Sequence, residues 1–297
     1  MDGIPFPGIP NLILSATHLV DLYLHNMPYS SSISPEAMVT CLSVLTCLHT
    51  LSLGFLFSQS RSDRKSRRPP SITTILPDLT NIRFQGASEY LEDLVSRIDA
   101  PLLQDLLICF PHYTDLDTAH LAQFISRTPR FQKPNGAHVN LDAFAEVQLL
   151  FEHDDYRVQI SCYNERRLSC ITKVCTMCLP PLPTAENLRL GVYPDYLDSE
   201  FNWKDDVNDG KLLELLRPFT AVKNLYLSEL FQPYMAIALQ QLVGGRTTAV
   251  LPSLQNIYLE KLDSERSGPF QEAIEAFVAV RQLSGHSIAF LHYNLEN

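Results

Sequence analysis

A leucine-anchored phrase with the spacing L-x-x-L-x-L recurs along this chain of 297 residues, and its recurrence constrains the fold more than any other feature. The last three positions of each copy alternate apolar, variable, apolar, as in a strand that buries one face. Eight copies are found, the last two being weaker: LVDLYL (19–24), LHTLSL (48–53), LTNIRF (79–84), LQDLLI (103–108), VKNLYL (222–227), LQNIYL (254–259), FAEVQL (144–149) and AENLRL (185–190). Such a repeated strand predicts a stack of similar units that share one continuous core.

The phrase is the strand core of a leucine-rich repeat. Amphipathic stretches lie between the copies, the clearest of which begins with Ser34-Pro35-Glu36 and places Met38, Leu42 and Leu45 on one helical face. Further helices are predicted at 90–98, 118–126, 212–216, 234–243 and 271–280. We therefore expect an α/β leucine-rich-repeat solenoid over residues 1–297, of eight or nine units, with a curved parallel sheet on its concave side and helices outside. Its core should bury Leu22, Leu24, Leu51, Leu53, Leu106, Leu225, Leu227 and Leu259.

Two segments interrupt this period. Residues 58–70 are polar and contain five basic residues between positions 61 and 68, which predicts a solvated loop between repeats; a nuclear-import or acidic-partner patch is the alternative. The other interruption covers about 130–183. There Val147–Phe151 and Arg157–Tyr163 alternate apolar and polar residues around a polar segment, which predicts a central β-hairpin insert that replaces one strand-helix repeat.

Charge and composition exclude several classes of function. The formal net charge of −10 disfavours binding to nucleic acid or to anionic membranes, because both require a basic face. No stretch approaches the roughly 18 apolar residues of a transmembrane helix, and the N-terminal residues lack the pattern of a secretory signal. Seven scattered cysteines, an odd number, fit free thiols in a reducing compartment. A cytoplasmic or nuclear location is expected.

Four cysteines between positions 162 and 178 are the most prominent potential metal ligands. Zinc requires four converging ligands, whereas only Cys175 and Cys178 form a close pair here. Residues 168–179 read as a helix on which Cys170 and Cys178 share one face and Cys175 points elsewhere. We interpret Cys162 and these three residues as structural thiols, with a metal site or redox chemistry as the alternatives.

Other chemical motifs are weak. The acidic run at 205–210 resembles the start of a calcium loop, but Val207 and Leu216 stand where that loop needs ligands, so calcium is rejected. The acidic surplus from 195 to 209 is interpreted as an exposed loop that Trp203 anchors. No spacing typical of a serine hydrolase, a zinc protease or a phosphate-binding loop is present. No metal, no cofactor and no catalytic residue is therefore predicted, and the chain is not expected to be an enzyme.

The remaining candidates lie on the predicted concave face, which receives the residues that alternate with the inward leucines. These are Asp21, Tyr23, Thr50, Ser52, Asn81, Arg83, Asp105, Asn187, Arg189, Asn224, Tyr226, Asn256 and Tyr258. Because tyrosine and arginine are enriched at binding hot spots, a partner is predicted to contact Tyr23, Arg83, Arg189, Tyr226 and Tyr258, along one continuous surface. The 61–68 and 195–209 loops should lie off this surface. A solvated strand face without a partner is the alternative for each single residue.

Some stretches carry a family resemblance beyond the repeat itself. Residues 10–24 (PNLILSATHLVDLYL), 33–38 (ISPEAM) and 48–53 (LHTLSL) resemble the leucine-rich-repeat region of the large F-box-like protein families of mushroom-forming fungi. The resemblance covers nearly the whole chain, including the central hairpin insert and the closing repeats. Members of such families pair an N-terminal F-box, which docks on the Skp1 adaptor of a cullin ubiquitin ligase, with a repeat domain that selects the substrate.

The resemblance implies a substrate-recognition module of an F-box-like ubiquitin ligase, acting as a non-catalytic protein-interaction scaffold on a protein partner or ubiquitination substrate. The F-box itself is not detected, because the first repeat strand begins near Leu19 and residues 1–16 do not supply its helices. A Skp1-type adaptor is expected only if an F-box is missing from this sequence, so adaptor docking is assigned to no residue. The alternatives are a stand-alone repeat binding protein unconnected to ubiquitin and an enzyme with an unrecognised site.

Overall fold

The protein is described by a computed structural model that covers residues 8–27, 33–55, 73–111, 118–141, 144–153, 155–163, 167–191, 210–242, 250–260 and 268–293. The chain divides into two compact units. The first consists of Met1–Gln132 and His153–Asn164, and the second of Lys133–Glu152 and Glu165–Asn297. The predicted loops at 58–70 and 195–209 lie outside the described residues.

The fold is mixed α/β. Its strands are β1 (Asp21–Met27), β2 (Thr50–Phe55), β3 (Thr74–Ile75), β4 (Asn81–Gln85), β5 (Ile98–Asp99), β6 (Asp105–Phe110), β7 (Gly136–Leu141), β8 (Ala145–Leu150), β9 (Arg157–Cys162), β10 (Asn187–Gly191), β11 (Asn224–Leu227), β12 (Asn256–Glu260) and β13 (Ala289–Tyr293). Its α-helices are α1 (Ile9–Ser15), α2 (Pro35–Leu42), α3 (Ser88–Val95), α4 (Ala119–Arg127), α5 (Arg167–Lys173), α6 (Lys211–Leu216), α7 (Gln232–Gln240) and α8 (Gly268–Leu283). Among the helices of the described ranges, none is long and apolar enough to cross a bilayer.

In each unit the main strands form a mostly parallel sheet, and β3 and β5 form a separate parallel pair in the first unit. In the first unit, β1, β2, β4 and β6 pair parallel in that order, and β9 pairs parallel with β6. In the second unit, β7, β10, β11, β12 and β13 pair parallel in that order. The pairing of β7 with β8 is antiparallel. All eight copies of the repeat phrase contain a strand, as the sequence predicts.

Burial confirms the inward side of the strands with one exception. Seven of the eight leucines predicted to lie in the core are buried, and Leu225 and Leu227 are completely inaccessible. The prediction for Leu24 is wrong, since this side chain is only half-buried. The register of β1 against β2 shifts between Leu24 and Met27, and Asn26 has a φ of 56°. This bulge follows Leu24 and interrupts the alternation of the strand. The next buried side chain is therefore that of Met27 and not that of Asn26.

The helix that begins at Ser34 forms as its sequence predicts. The Ser34 hydroxyl accepts a hydrogen bond from the backbone N–H of Ala37 at 3.2 Å, and Pro35 occupies the first helical turn. Met38, Leu42 and Leu45 are all buried. Local capping and the spacing of three and four residues therefore determine this element.

The next helices use a contact that sequence patterns did not reveal. Both carboxylate oxygens of the buried Glu92 in α3 accept hydrogen bonds from backbone N–H groups at the start of α4, those of His120 and Leu121, each at 2.8 Å. The side chain of Thr118, which precedes α4, makes no capping hydrogen bond. A carboxylate from the preceding helix thus satisfies two free donors and the positive end of the helix dipole.

The central insert differs in part from its prediction. Both predicted strands are present, as β8 and β9, and β9 belongs to the first unit with a parallel partner in β6. Within the second unit, β8 also forms an antiparallel hairpin with β7, in a register that places Val139 opposite Val147. Sequence analysis did not predict β7, nor did it predict α1 or β13.

Candidate functional site

The five residues predicted to bind a partner occupy two rows of outward-facing side chains. In the first unit, strand register aligns what we call the first-unit row: Tyr23, Ser52, Arg83, Leu107 and Gln159. In the second unit, register aligns the second-unit row: His138, Arg189, Tyr226, Tyr258 and Leu291. The predicted inside-outside phase is correct for all five candidates, since none of them is buried. That Tyr23 and Arg83 share one continuous surface with the other three stays a prediction.

The second-unit row contains a stack of three side chains. The rings of Tyr226 and Tyr258 are 4.5 Å apart between centroids and nearly parallel at 8°, and the guanidinium of Arg189 lies 5.7 Å from the centroid of Tyr226. The neighbours come from β10, β11 and β12 at identical register positions, so the strand spacing itself brings the rings into contact. Burial raises the pKa of the Tyr226 phenol, Tyr258 adds to this, and Arg189 opposes it. The stack holds the side chains of Arg189, Tyr226 and Tyr258 against one another.

His138 lies beside Arg189 in this row, and sequence analysis missed it. Burial, reinforced by the positive charge of Arg189, lowers the pKa of His138 to about 4. The space around its ring depends on Gly191 in the next strand, because a Cβ atom there would lie 3.4 Å from His138 Nε2. His138 is therefore neutral at physiological pH. A neutral imidazole limits the positive charge at this end of the row to Arg189.

A second row of outward positions in the same unit is structural. Asn187 donates from its side-chain amide to the carbonyl oxygen of Asn135 at 2.9 Å. Asn224 donates to the side-chain oxygen of Asn187 at 2.8 Å, and Asn256 donates to that of Asn224 at 2.7 Å. Asn187, Asn224 and Asn256, three of the four asparagines of the predicted concave face, thus form a ladder that ties neighbouring repeats together. Their amide groups are engaged with each other, which argues against a role in partner recognition.

The first-unit row borders an open recess of about 280 Å³. Its lining includes Tyr23, His25, Arg83, Gln85 and Leu107, with Gln159 and Ser161 on the far strand. The recess exists where β2 carries only small outward residues, since Ser52 is followed two positions later by Gly54. A Cβ atom on Gly54 would lie 3.0 Å from His25 Nδ1, so a larger residue there would displace the imidazole.

One contact in this recess resembles a hydrolytic pair. The hydroxyl of Ser52 and Nε2 of His25 are 3.0 Å apart, within the range expected of a nucleophile and its base. Ser52 is only 1% exposed, however, so a substrate cannot reach its oxygen. Among the described residues that line the recess there is also no aspartate or glutamate to orient the imidazole. The pair is therefore a structural hydrogen bond that closes the floor of the recess.

The cysteine cluster has a different geometry from the one predicted. Cys162, Cys170 and Cys178 are buried, and Cys175 is buried with them. The helix changes from α to π at Val174, which adds a residue to the turn and rotates Cys175 inward, while Met177 faces solvent. The prediction that Cys175 points away from the others is thus wrong. Burial, with a further contribution from Cys178 and Cys170, raises the pKa of Cys175, so its reactive thiolate form is disfavoured.

Within the described ranges, histidine, cysteine, aspartate and glutamate residues do not assemble into a group of three or more that could hold a metal ion. Comparisons with protein-family models, with curated proteins and with solved structures found no match for this chain. Clues to the function of this chain therefore come from the two rows themselves. What they offer chemically is two exposed guanidinium groups and three tyrosines, mounted on rigid parallel strands.

Proposed function

We propose that this protein is a non-catalytic protein-interaction module that binds a partner through the outward face of its parallel strands. The single observation that carries the proposal is the stack of Arg189, Tyr226 and Tyr258, which is ordered before any partner arrives. Side chains that are already fixed lose little conformational entropy on binding, and tyrosine and arginine contribute most to interfaces. The finer architecture that we propose is a leucine-rich-repeat solenoid with these rows on its concave side.

The charges of these residues support a recognition role. Arg97, Arg127 and Arg157 of the first unit each pair with a carboxylate, on Glu36, Asp99 and Asp105 respectively. In the part of the chain that the structure describes, neither Arg83 nor Arg189 has a carboxylate partner. Exposed cations that a protein leaves unpaired are available to a ligand.

The proposal extends to the cellular role. By its resemblance to the F-box-like families of mushroom-forming fungi, we infer a substrate-recognition module of a ubiquitin ligase, with a ubiquitination substrate as the partner. The Skp1-type adaptor would bind through a segment other than the repeat strands. A stand-alone repeat binding protein is the second candidate, and it would use the same face without an adaptor.

Affinity capture from the native cells tests the proposal. The full chain and a variant carrying Tyr226→Ala and Tyr258→Ala would serve as baits, with Tyr163→Ala as a matched control because Tyr163 is an exposed tyrosine outside both rows. We expect one or more proteins that bind the full chain and the control and are lost from the double variant. Equal capture by all three baits would refute a role for the second-unit row.

The same experiment separates the two cellular roles. A bait extended with any in-frame sequence found upstream of Met1 should additionally recover a Skp1-type adaptor if the protein is part of a ubiquitin ligase. The stand-alone candidate would be supported if no coding segment lies upstream of Met1 and the bait captures the same partners without an adaptor. Turnover of a small substrate by the purified protein would contradict both.

A further inference from the structure

We propose that the recess of the first unit binds the carboxylate side chain of an aspartate or glutamate in an extended segment of the partner protein. This inference rests on the proposed function and names the chemistry of the partner at one position. It concerns the recess lined by Tyr23, Arg83 and Gln85. It does not depend on the stacked tyrosines of the second unit.

The charge of the recess selects an acid. Arg83 is exposed on β4 and, among the described residues of the lining, is the one that carries a permanent charge. Those described residues include no aspartate or glutamate that would neutralise it. In a chain whose formal net charge is −10, a recess that offers a cation without a counter-ion is complementary to a negatively charged group. The described residues give Arg83 no competing ion pair.

The size and number of the donors select a carboxylate. A guanidinium presents a planar pair of N–H donors that matches the two oxygens of a carboxylate. A single arginine supplies one positive charge, which balances one carboxylate but leaves a doubly charged phosphate partly uncompensated. Gln85 and Tyr23 are exposed beside it and add neutral donors. The chemistry therefore fits an acidic amino acid better than a phosphorylated one.

The shape selects a side chain of a longer segment. A recess of about 280 Å³ that is open to solvent lies at the lower limit of sites that enclose a free small molecule. It has room for one acidic side chain, while the strand face beyond it continues the contact through the exposed ring of Tyr23. The half-buried Leu107 supplies an apolar wall for the methylene groups of the acidic side chain.

A peptide-binding experiment tests this assignment. The full chain would be incubated with an immobilised library of short peptides in which the central position is glutamate, glutamine, phosphoserine or lysine and the flanking positions are randomised. We expect glutamate peptides to be enriched over glutamine peptides by about tenfold, because hydrogen bonds between charged groups contribute more than neutral ones. Arg83→Gln should abolish this preference, and Arg83→Lys should reduce it, because lysine retains the charge but not the paired donors.

Arg217→Gln is the matched control, since it removes an exposed arginine that belongs to neither row and leaves the recess intact. We expect it to retain the preference for glutamate. Three results would overturn the assignment: equal binding of glutamate and glutamine peptides, an equal loss in the Arg83 and Arg217 variants, or a higher enrichment of phosphoserine than of glutamate. The thermal midpoint of Arg83→Gln should equal that of the wild type, because the side chain is exposed. Any of these failures would leave the capture experiment with the Tyr226 and Tyr258 variant unaffected.

Discussion

The two rows of outward side chains arise from the same repeat phrase but differ in how far their members contact one another. In the second unit, Arg189, Tyr226 and Tyr258 stack on each other, and an asparagine ladder runs beside them. In the first unit, Arg83 stands apart above an open recess, and Tyr23 is 57% exposed. Outward side chains of neighbouring repeats therefore contact each other where large, complementary residues occupy adjacent strands, and stand apart where a small residue lies between them.

The difference has a local origin. The outward residues of β2 are Ser52 and Gly54, which leave space between β1 and β4. The strands β10, β11 and β12 instead carry an arginine and two tyrosines at the same register position, with no small residue between them. In the first-unit row, β2 lies between the strands of Tyr23 and Arg83. These two residues are therefore roughly 10 Å apart, twice the spacing of adjacent strands, which prevents their side chains from stacking.

The largest expected effect is the loss of stability when a leucine on the inward face of a strand is truncated. This loss should be similar in the two units, except in β1. Leu225→Ala should lower the free energy of unfolding by about 2–5 kcal/mol, because Leu225 is completely buried and its truncation leaves a cavity. Leu24→Ala should cost less, about 1 kcal/mol, since Leu24 is only half-buried. Urea unfolding followed by circular dichroism measures both. Equal losses would show that Leu24 is as deeply buried as Leu225.

The second prediction uses His138, the half-buried histidine of the second-unit row. The pKa of His138 is lowered to about 4 from an ordinary value of 6.5, so between these values the unfolded chain binds a proton that the folded chain does not. Stability should therefore fall as the pH drops from about 6.5 to 4, with His138 contributing up to about 3 kcal/mol of the loss.

His138→Gln isolates this contribution, because glutamine does not titrate. The difference in unfolding free energy between wild type and variant should be constant above pH 7 and should shift in favour of the variant as the pH falls toward 4. Urea unfolding at several pH values measures it. A constant difference over the whole range would show that His138 is accessible to protons in the folded state.

The third prediction compares outward asparagines of the two units. Asn224→Ala removes two ladder hydrogen bonds, to Asn187 and from Asn256, and should destabilise the protein by about 1–2 kcal/mol. Asn81→Ala removes a hydrogen bond to the adjacent Thr80 alone and should cost less than about 1 kcal/mol. Shifts of the urea midpoint report the difference. A larger loss for Asn81 would mean that the ladder contributes little to the second unit.

The smallest expected effect is that of the aromatic stack. A double-mutant cycle of Tyr226→Ala and Tyr258→Ala should give a coupling energy of about 0.5–1.5 kcal/mol, the usual range for a stacked aromatic pair. The thermal midpoint should change only slightly. Tyr23→Ala should leave stability unchanged, because most of that side chain is exposed. Unfolding of the double variant at room temperature would instead mean that these tyrosines support the core.

Sequence analysis located the elements well where the signal is local. The helix beginning at Ser34 is predicted by its cap, by Pro35 and by the spacing of its apolar residues, all within a few turns. It failed at Leu24, which is in register with Leu53 but only half-buried, and at Cys175, where a π-turn shifts the phase by one residue. A shift of this kind depends on the partner strand or on packing around the turn, which a single-segment pattern does not contain.

By itself, the sequence determined where the repeat strands lie and which of their side chains face inward. Both follow from the period-two alternation within each strand. Only the tertiary structure decided which outward residues meet: Tyr226 reaches Tyr258 and Asn224 reaches Asn187 because their strands pair in register across about thirty intervening residues. Hydrogen bonding between strands fixes that register, and it therefore decides which outward side chains contact each other and which stand apart.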